Sequence, residues 1–302
     1  MYAPLPASFL ARAARSDAWA HWLDGLPRLI TDICQDWGLE PDGAVMTGEV
    51  AAVLPVRAEA GEPAVAKFGL PHSEAELEHL ALRTWGGDGA VRLLRADPRR
   101  FVLLLERAEP GHDLIEVPVV EACEIVGGLY GRLHRPAIPQ LDRLSAHAAR
   151  WVEELPRLRD THIVPRRFVE QAISLARDFA SDPETDQTLI HSDLHYANVL
   201  AATRQPWLAI DPKPLAGDPA YEVAPLLWNR WEEAVASGSI RNAVLDRLFA
   251  VVDVAGLDED RVRDWVVVRE VVNVLWSTQE GSRPGHEDWV TTATTIVKAV
   301  QR

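Results

Sequence analysis

Apolar residues recur at helical spacing near the start of the chain: Trp19, Trp22, Leu23, Leu26, Leu29, Ile30, Ile33 and Cys34 form one stripe. Ser16-Asp17 can cap it, so the spacing predicts a helix to about Trp37, interrupted or bent at Pro27. The period then changes. Ala44–Thr47, Val50–Ala58 and Pro63–Phe68 are short runs divided by turn residues and read as strands. Pro71-His72-Ser73 opens a helix, Glu74–Trp85, closed by Gly86-Gly87. Ala90–Ala96 and Phe101–Glu106 flank an Asp97-Pro98-Arg99-Arg100 turn and complete a five-stranded antiparallel sheet with one helix on it. The stretch Glu106–Gly111 breaks the pattern, so the expected domains are 1–107 and 108–302. Helical patterns dominate thereafter: Val117–Leu133, Leu141–Leu155, Phe168–Ala180, Ala220–Ala234 behind an Asp218 cap and Pro219, Ile240–Val254, Asp258–Gln279 and Glu287–Gln301. A sheet-rich first part and a helix-rich second part predict an α+β, two-lobed protein with a cleft.

One stretch carries the chemistry. His191–Asp211 reads HSDLHYANVLAATRQPWLAID. It opens H-x-D-x-x-x-x-N and continues through two short apolar runs separated by Thr203-Arg204-Gln205-Pro206. The second run ends on Asp211. This suits a loop, a hairpin, and an acid at the end of its second strand. Magnesium-dependent phosphoryl transfer needs such a set: Asp193 to take the proton of the attacking hydroxyl, Asn198 and Asp211 to hold metal on the nucleotide phosphates. Mg²⁺ is hard and prefers these oxygen donors. The bland alternative, a polar surface loop beside a core histidine, does not account for that spacing. His191 is expected to orient the loop backbone rather than to titrate.

Strand alternation puts Val65 and Lys67 on one face of A-V-A-K-F. A half-buried lysine needs an anion. Glu78, bordering the buried stripe of its helix at Ala81, Leu82 and Trp85, is the first candidate partner and Glu74 the second. The glycine signal for a phosphate loop is poor, since Gly48 stands alone.

Composition narrows the partners. With 45 acidic against 31 basic residues the net charge is −14, which argues against nucleic-acid and anionic-membrane binding. It suits a soluble protein with a cationic substrate, and equally a charge that serves solubility alone. The two cysteines, Cys34 and Cys123, make no metal spacing, and neither a signal peptide nor a membrane-spanning run is legible. A cytoplasmic monomer is expected.

The motifs H-S-D-L-H-Y-A-N-V-L and W-L-A-I-D-P-K-P-L-A-G-D-P resemble the aminoglycoside phosphotransferase group. L-P-V-R, W-G-G-D-G-A-V-R-L-L, L-L-L-E-R and L-W-S-T-Q-E-G narrow the resemblance to its streptomycin 6-kinase and hydroxyurea phosphotransferase branch. The resemblance covers about residue 20 to the end. It implies a protein-kinase-like fold and transfer of the γ-phosphate of ATP, with GTP as the alternative donor, to a hydroxyl of a small polar molecule. Asp193 then matches the catalytic base, Asn198 and Asp211 the Mg²⁺ ligands, and Lys67 the phosphate-holding lysine. Glu106 to Ala108 match the segment that receives adenine. Glu222, Trp276 and Glu280 fall near the acceptor site. Ser192, Ala197, Glu222 and Ser277 depart from the streptomycin enzymes, which leaves the acceptor open between a streptomycin-type antibiotic and another hydroxylated metabolite. A regulatory pseudokinase is the non-enzymatic alternative. A protein kinase is disfavoured, because the loop lacks the arginine of H-R-D and no A-P-E segment follows.

Overall fold

The computed structural model describes residues 4–279 and 286–301. The chain divides into two compact units: residues up to Glu109 with Ala202–Leu208, and Pro110–Ala201 with Ala209 onward.

In the first unit the helix Asp17–Trp37 starts where Ser16 Oγ accepts from Trp19 N, and ends at Gly38 in the left-handed conformation. It buries Trp19, Trp22, Leu23, Leu26, Ile30, Ile33 and Trp37 in one cluster with Ala52, Leu54, Val56, Ala64, Ala66 and Phe68 of the sheet. The helix runs unbroken through Pro27, and Thr31 Oγ1 bonds to the Pro27 carbonyl at 2.9 Å. The expected interruption is therefore absent: apolar burial on both sides of Pro27 outweighs the one ladder bond it cannot donate.

The sheet is antiparallel, in the order Glu40–Pro41, Ala51–Arg57, Pro63–Gly69, Val102–Glu106, Leu93–Asp97, with Met46–Thr47 also on Ala51–Arg57. It has six strands rather than the expected five. The additional one, Glu40–Pro41, is too short to show a period, and a proline is tolerated there because the strand lies on an edge. Along Pro63–Gly69, Ala64, Ala66 and Phe68 are buried on the helix side, which puts Lys67 on the opposite face. The expected helix after Ser73 is two pieces, Ser73–Glu76 and Glu78–Trp85, with Leu77 between them and Gly86 closing the second.

The second unit is mainly helical: Val119–Leu133, Leu144–Glu154, Arg166–Ser181, Ala224–Trp228, Trp231–Ala236, Ile240–Ala255, Glu259–Gln279 and His286–Val300. A small antiparallel sheet, Leu215–Gly217, Thr188–Ile190 and Arg135–Pro136, carries the loop at His191. Gly217 lets the strand pack closely on Ile190, since a Cβ there would lie 2.3 Å from Ile190 Cδ1 and 2.8 Å from its Cγ1 and would displace that side chain. The single helix expected over Ala220–Ala234 is broken into a 3-10 turn, Pro219–Val223, and two short helices. Tertiary bonds are the cause. Arg247 binds the carbonyls of Asn229 and Arg230, Arg230 takes φ +56°, and its guanidinium reaches the carbonyls of Leu114 and Val117. No helix among the described residues is long and apolar enough to cross a membrane.

Candidate active site

The loop after strand Thr188–Ile190 is held by its own backbone and by four residues from elsewhere in the unit, Ile210, Lys213, Glu222 and Arg269. His191 is fully buried. Its Nε2 lies 2.9 Å from the Ile210 carbonyl, and its Nδ1 accepts from Asp193 N at 3.3 Å. That tautomer is neutral, and burial pushes the imidazole below its usual range. His191 is thus a staple between two segments.

Ser192 is the strained residue, with φ +61°. Three bonds keep it there. Its N–H donates to Glu222 Oε1 at 2.7 Å, its carbonyl accepts from Arg269 Nη2 at 2.7 Å, and its hydroxyl donates to the Lys213 carbonyl at 2.5 Å. A left-handed, non-glycine residue costs about 1–3 kcal/mol and persists only when its surroundings over-determine it. The residue it aims is Asp193, whose side chain is part-exposed and ion-paired to Lys213.

Asn198 closes the 3-10 turn Tyr196–Asn198. Its Nδ2 donates to the Asp193 carbonyl at 2.9 Å and its own carbonyl accepts from Ile210 N at 2.9 Å. With the amide nitrogen committed, the oxygen Oδ1 is what Asn198 can offer a cation. Asp211 follows Ile210 directly and also takes a left-handed φ, +57°. Lys213 N then bonds back to the His191 carbonyl at 3.0 Å. Asp193, Lys213, Asp211 and Arg269 all act electrostatically on His195, whose imidazole is lowered chiefly by burial. Asp193, Asn198 and Asp211 are therefore mounted on two stitched segments of one unit. Asn198 Oδ1 and the Asp211 carboxylate are hard oxygen donors, a set that fits Mg²⁺.

Glu222 is not directed at a substrate. It is fully buried, and beyond Ser192 N it binds His134 Nε2 through Oε2 at 2.6 Å. Tyr130 stacks on His134 at 4.8 Å and donates to the Glu222 carbonyl. The expectation of an acceptor contact is corrected: this carboxylate supports the loop from behind. Trp276 is 41 % exposed and meets Trp151 edge-to-face at 6.3 Å, with Trp151 stacked in turn on Tyr221. Glu280 lies outside the described residues. On the helix Glu259–Gln279 the Glu270 carboxylate is fully buried, and that burial pushes it well above the carboxylate range against the lowering influence of Arg269 and Asn273.

In the first unit Lys67 Nζ lies 2.7 Å from both carboxylate oxygens of Glu78. Both side chains are nearly buried, at 12 % and 5 % exposure, so each is the other's countercharge. Glu106 receives Arg204 through two bonds of 2.9 Å and Arg92 N at 3.0 Å. Burial opposes the Glu106 charge, yet these donors hold its carboxyl below the usual range. Arg107 ties the following turn to the carbonyls of Val56 and Ala64, and Ala108 is buried.

Sequence reasoning passed over Lys213, Arg269 and His134. Only Lys213 carried a signal: a lysine between two prolines, two residues after Asp211. Arg269 is an ordinary member of a helical pattern and His134 the residue after one, and the bonds of Arg269 to the loop and of His134 to Glu222 follow from packing alone.

Residues 36–281 match the family model described as aminoglycoside/hydroxyurea antibiotic resistance kinase. The chain is 39% identical over 283 residues to a streptomycin 6-kinase of Streptomyces glaucescens, covering 92% of this chain and 91% of that one. It is 38% identical over 272 residues to a hydroxyurea phosphotransferase of Kitasatospora aureofaciens, covering 87% of this chain and 76% of that one. Among solved structures, the aminoglycoside phosphotransferase APH(4)-Ia in complex with ADP and hygromycin B superposes with a TM-score of 0.57 at 16% identity, over 89% of this chain and 97% of that one. At that identity the likeness establishes the fold.

Proposed function

The chain belongs to the aminoglycoside/hydroxyurea antibiotic resistance kinase family, and on that premise we propose that it transfers the γ-phosphate of ATP to a hydroxyl of a streptomycin-type aminoglycoside or a related polar compound, inactivating it. The observation that carries this reading is the pair of stitched segments that mounts Asp193, Asn198 and Asp211 through His191, Ile210 and Ser192. Such rigid mounting suits a reaction whose catalysis is mostly positioning and charge neutralisation.

Asp193 accepts the proton of the acceptor hydroxyl. The acceptor oxygen bonds to the γ-phosphorus as the bond to the β,γ-bridging oxygen breaks, and ADP leaves. Asn198 Oδ1 and the Asp211 carboxylate would hold Mg²⁺, which when bound neutralises phosphate charge. Lys67, fixed by Glu78, binds nucleotide phosphates as a compact point charge. The backbone from Glu106 to Ala108 receives the adenine. Trp276, part-exposed, offers the acceptor an aromatic surface, on which a guanidinium would stack favourably.

The test is mass spectrometry of ATP–Mg²⁺ incubations with streptomycin, other aminoglycosides and hydroxyurea. A product heavier by one phosphoryl group supports the reading. ATP binding without transfer to any hydroxylated compound of a broad panel refutes it.

A further inference from the structure

Lys213 has no part in the roles above, yet its surroundings are specific. Of the chain's 31 lysines and arginines only three are lysine: Lys67, Lys213 and Lys298. In a chain that otherwise supplies positive charge with arginine, Lys67 and Lys213 each rest on a carboxylate, Glu78 in the first unit and Asp193 in the second. Lys213 is also mounted more firmly than a surface lysine needs to be. Pro212 and Pro214 restrict the backbone on either side. Its N–H binds the His191 carbonyl at 3.0 Å and its own carbonyl takes the Ser192 hydroxyl at 2.5 Å. Both anchors belong to the two residues that precede Asp193. The loop that presents the carboxylate and the residue that presents the ammonium are therefore one rigid piece, and the ammonium meets Asp193 at Oδ2. The side chains of Lys213 and Asp193 are 33 % and 23 % exposed, so the pair is only partly covered.

Resting on the kinase reading above, we propose that Lys213 is a positioning residue of the transfer step. Its ammonium engages Oδ2 of Asp193, which orients the carboxylate so that Oδ1 faces the acceptor hydroxyl. A carboxylate free to rotate about its terminal torsion would present the proton-accepting oxygen only part of the time. The compact ammonium suits a contact with one oxygen, where the planar guanidinium of arginine favours gripping both.

The test compares wild type, Lys213→Met, Lys213→Ala and Lys213→Arg in the presence of an acceptor that wild type phosphorylates. Lys213→Met loses roughly 10- to 100-fold in kcat, up to but not beyond the lower end of the roughly 10²- to 10⁴-fold that a positioned base contributes, because the base is misaligned and not removed. Its KM for the acceptor changes far less. Its dissociation constant for ATP–Mg²⁺, read by calorimetry, stays within about threefold of wild type, which also shows that the variant is folded. Added ethylammonium restores part of the kcat of Lys213→Ala, which a merely structural lysine would not allow. Lys213→Arg recovers only part of the lost kcat. Retention of wild-type kcat by Lys213→Met overturns the proposal. So does a loss of ATP affinity that matches the loss of kcat, which would make Lys213 a nucleotide ligand. Should wild type phosphorylate no acceptor at all, the kinase reading fails first, and that result is distinct from either outcome.

Discussion

Replacing Glu222 tests how the loop is held. Glu222→Ala removes two contacts at once: the 2.7 Å bond from Ser192 N and the 2.6 Å bond to His134 Nε2. Glu222 is fully buried and Ser192 nearly so, so water does not simply take the carboxylate's place. An unsatisfied buried donor costs about 1–3 kcal/mol. Loss of a bond to a charged group adds about as much again. The expected destabilisation is about 3–4 kcal/mol, reduced if a water enters the space left behind. Function suffers separately. Ser192 at φ +61° loses one of the three bonds that enforce its conformation, and Asp193 follows it in the chain. A relaxed Ser192 swings the carboxylate away from the acceptor, so kcat falls by about 10²-fold, the usual consequence of a misplacement near 1 Å. Glu222→Gln distinguishes the two effects. Its amide oxygen still accepts from Ser192 N, and its amide nitrogen can donate to a neutral His134. This variant should stay within about 1 kcal/mol of wild type and keep most of its kcat. Urea unfolding at fixed pH gives the stability, and initial rates with saturating ATP and acceptor give kcat. Equal, wild-type kcat in Glu222→Ala would refute the claim that this carboxylate aims the loop. Loss in Glu222→Gln as severe as in Glu222→Ala would show that hydrogen bonding to Ser192 is not what matters.

Lys67→Met leaves the Glu78 carboxylate nearly buried beside a methyl group, and should cost about 3 kcal/mol in urea unfolding; Lys67→Met with Glu78→Leu should recover most of that stability without recovering nucleotide affinity by calorimetry. Glu270 keeps its proton in the fold because burial raises its pKa, while the unfolded chain releases it near pH 4.5. Between those two values the unfolded state binds fewer protons, so stability falls as pH rises, by up to about 1.4 kcal/mol per pH unit. Glu270→Gln should therefore be more stable than wild type at pH 7 and flatten the decline above pH 5, and an unchanged pH profile of thermal unfolding would contradict the buried, protonated acid.

Some of this molecule could be read from residue order because local rules agree with the final packing. The period-3.6 stripe of Asp17–Trp37, its Ser16 cap and its Gly38 stop lie within one segment. The contact between Lys67 and Glu78 follows from strand alternation on one side and from the buried stripe Ala81, Leu82 and Trp85 on the other. Other features are settled by partners far along the chain. The break at Arg230 depends on Arg247 capturing carbonyls that a continuous helix would have used. Glu222 lies 30 residues from the Ser192 it supports, and nothing in the sequence around it says that it turns inward. Lys213 is marked in the sequence only by its flanking prolines, in a loop without periodicity, which does not say that it meets Asp193. The Glu40–Pro41 strand is two residues long and exists only through its register on Val56 and Arg57.

The most direct measurement is single-turnover phosphoryl transfer by wild type and Asp193→Ala, each preloaded with ATP–Mg²⁺ and mixed with an acceptor that wild type phosphorylates. With Asp193 as proton acceptor, the variant should bind the nucleotide as wild type does and transfer roughly 10²- to 10⁴-fold more slowly. Transfer by the variant at the wild-type rate would show that the proton leaves by another route and that the loop ending in Asn198 and Asp211 serves a different purpose.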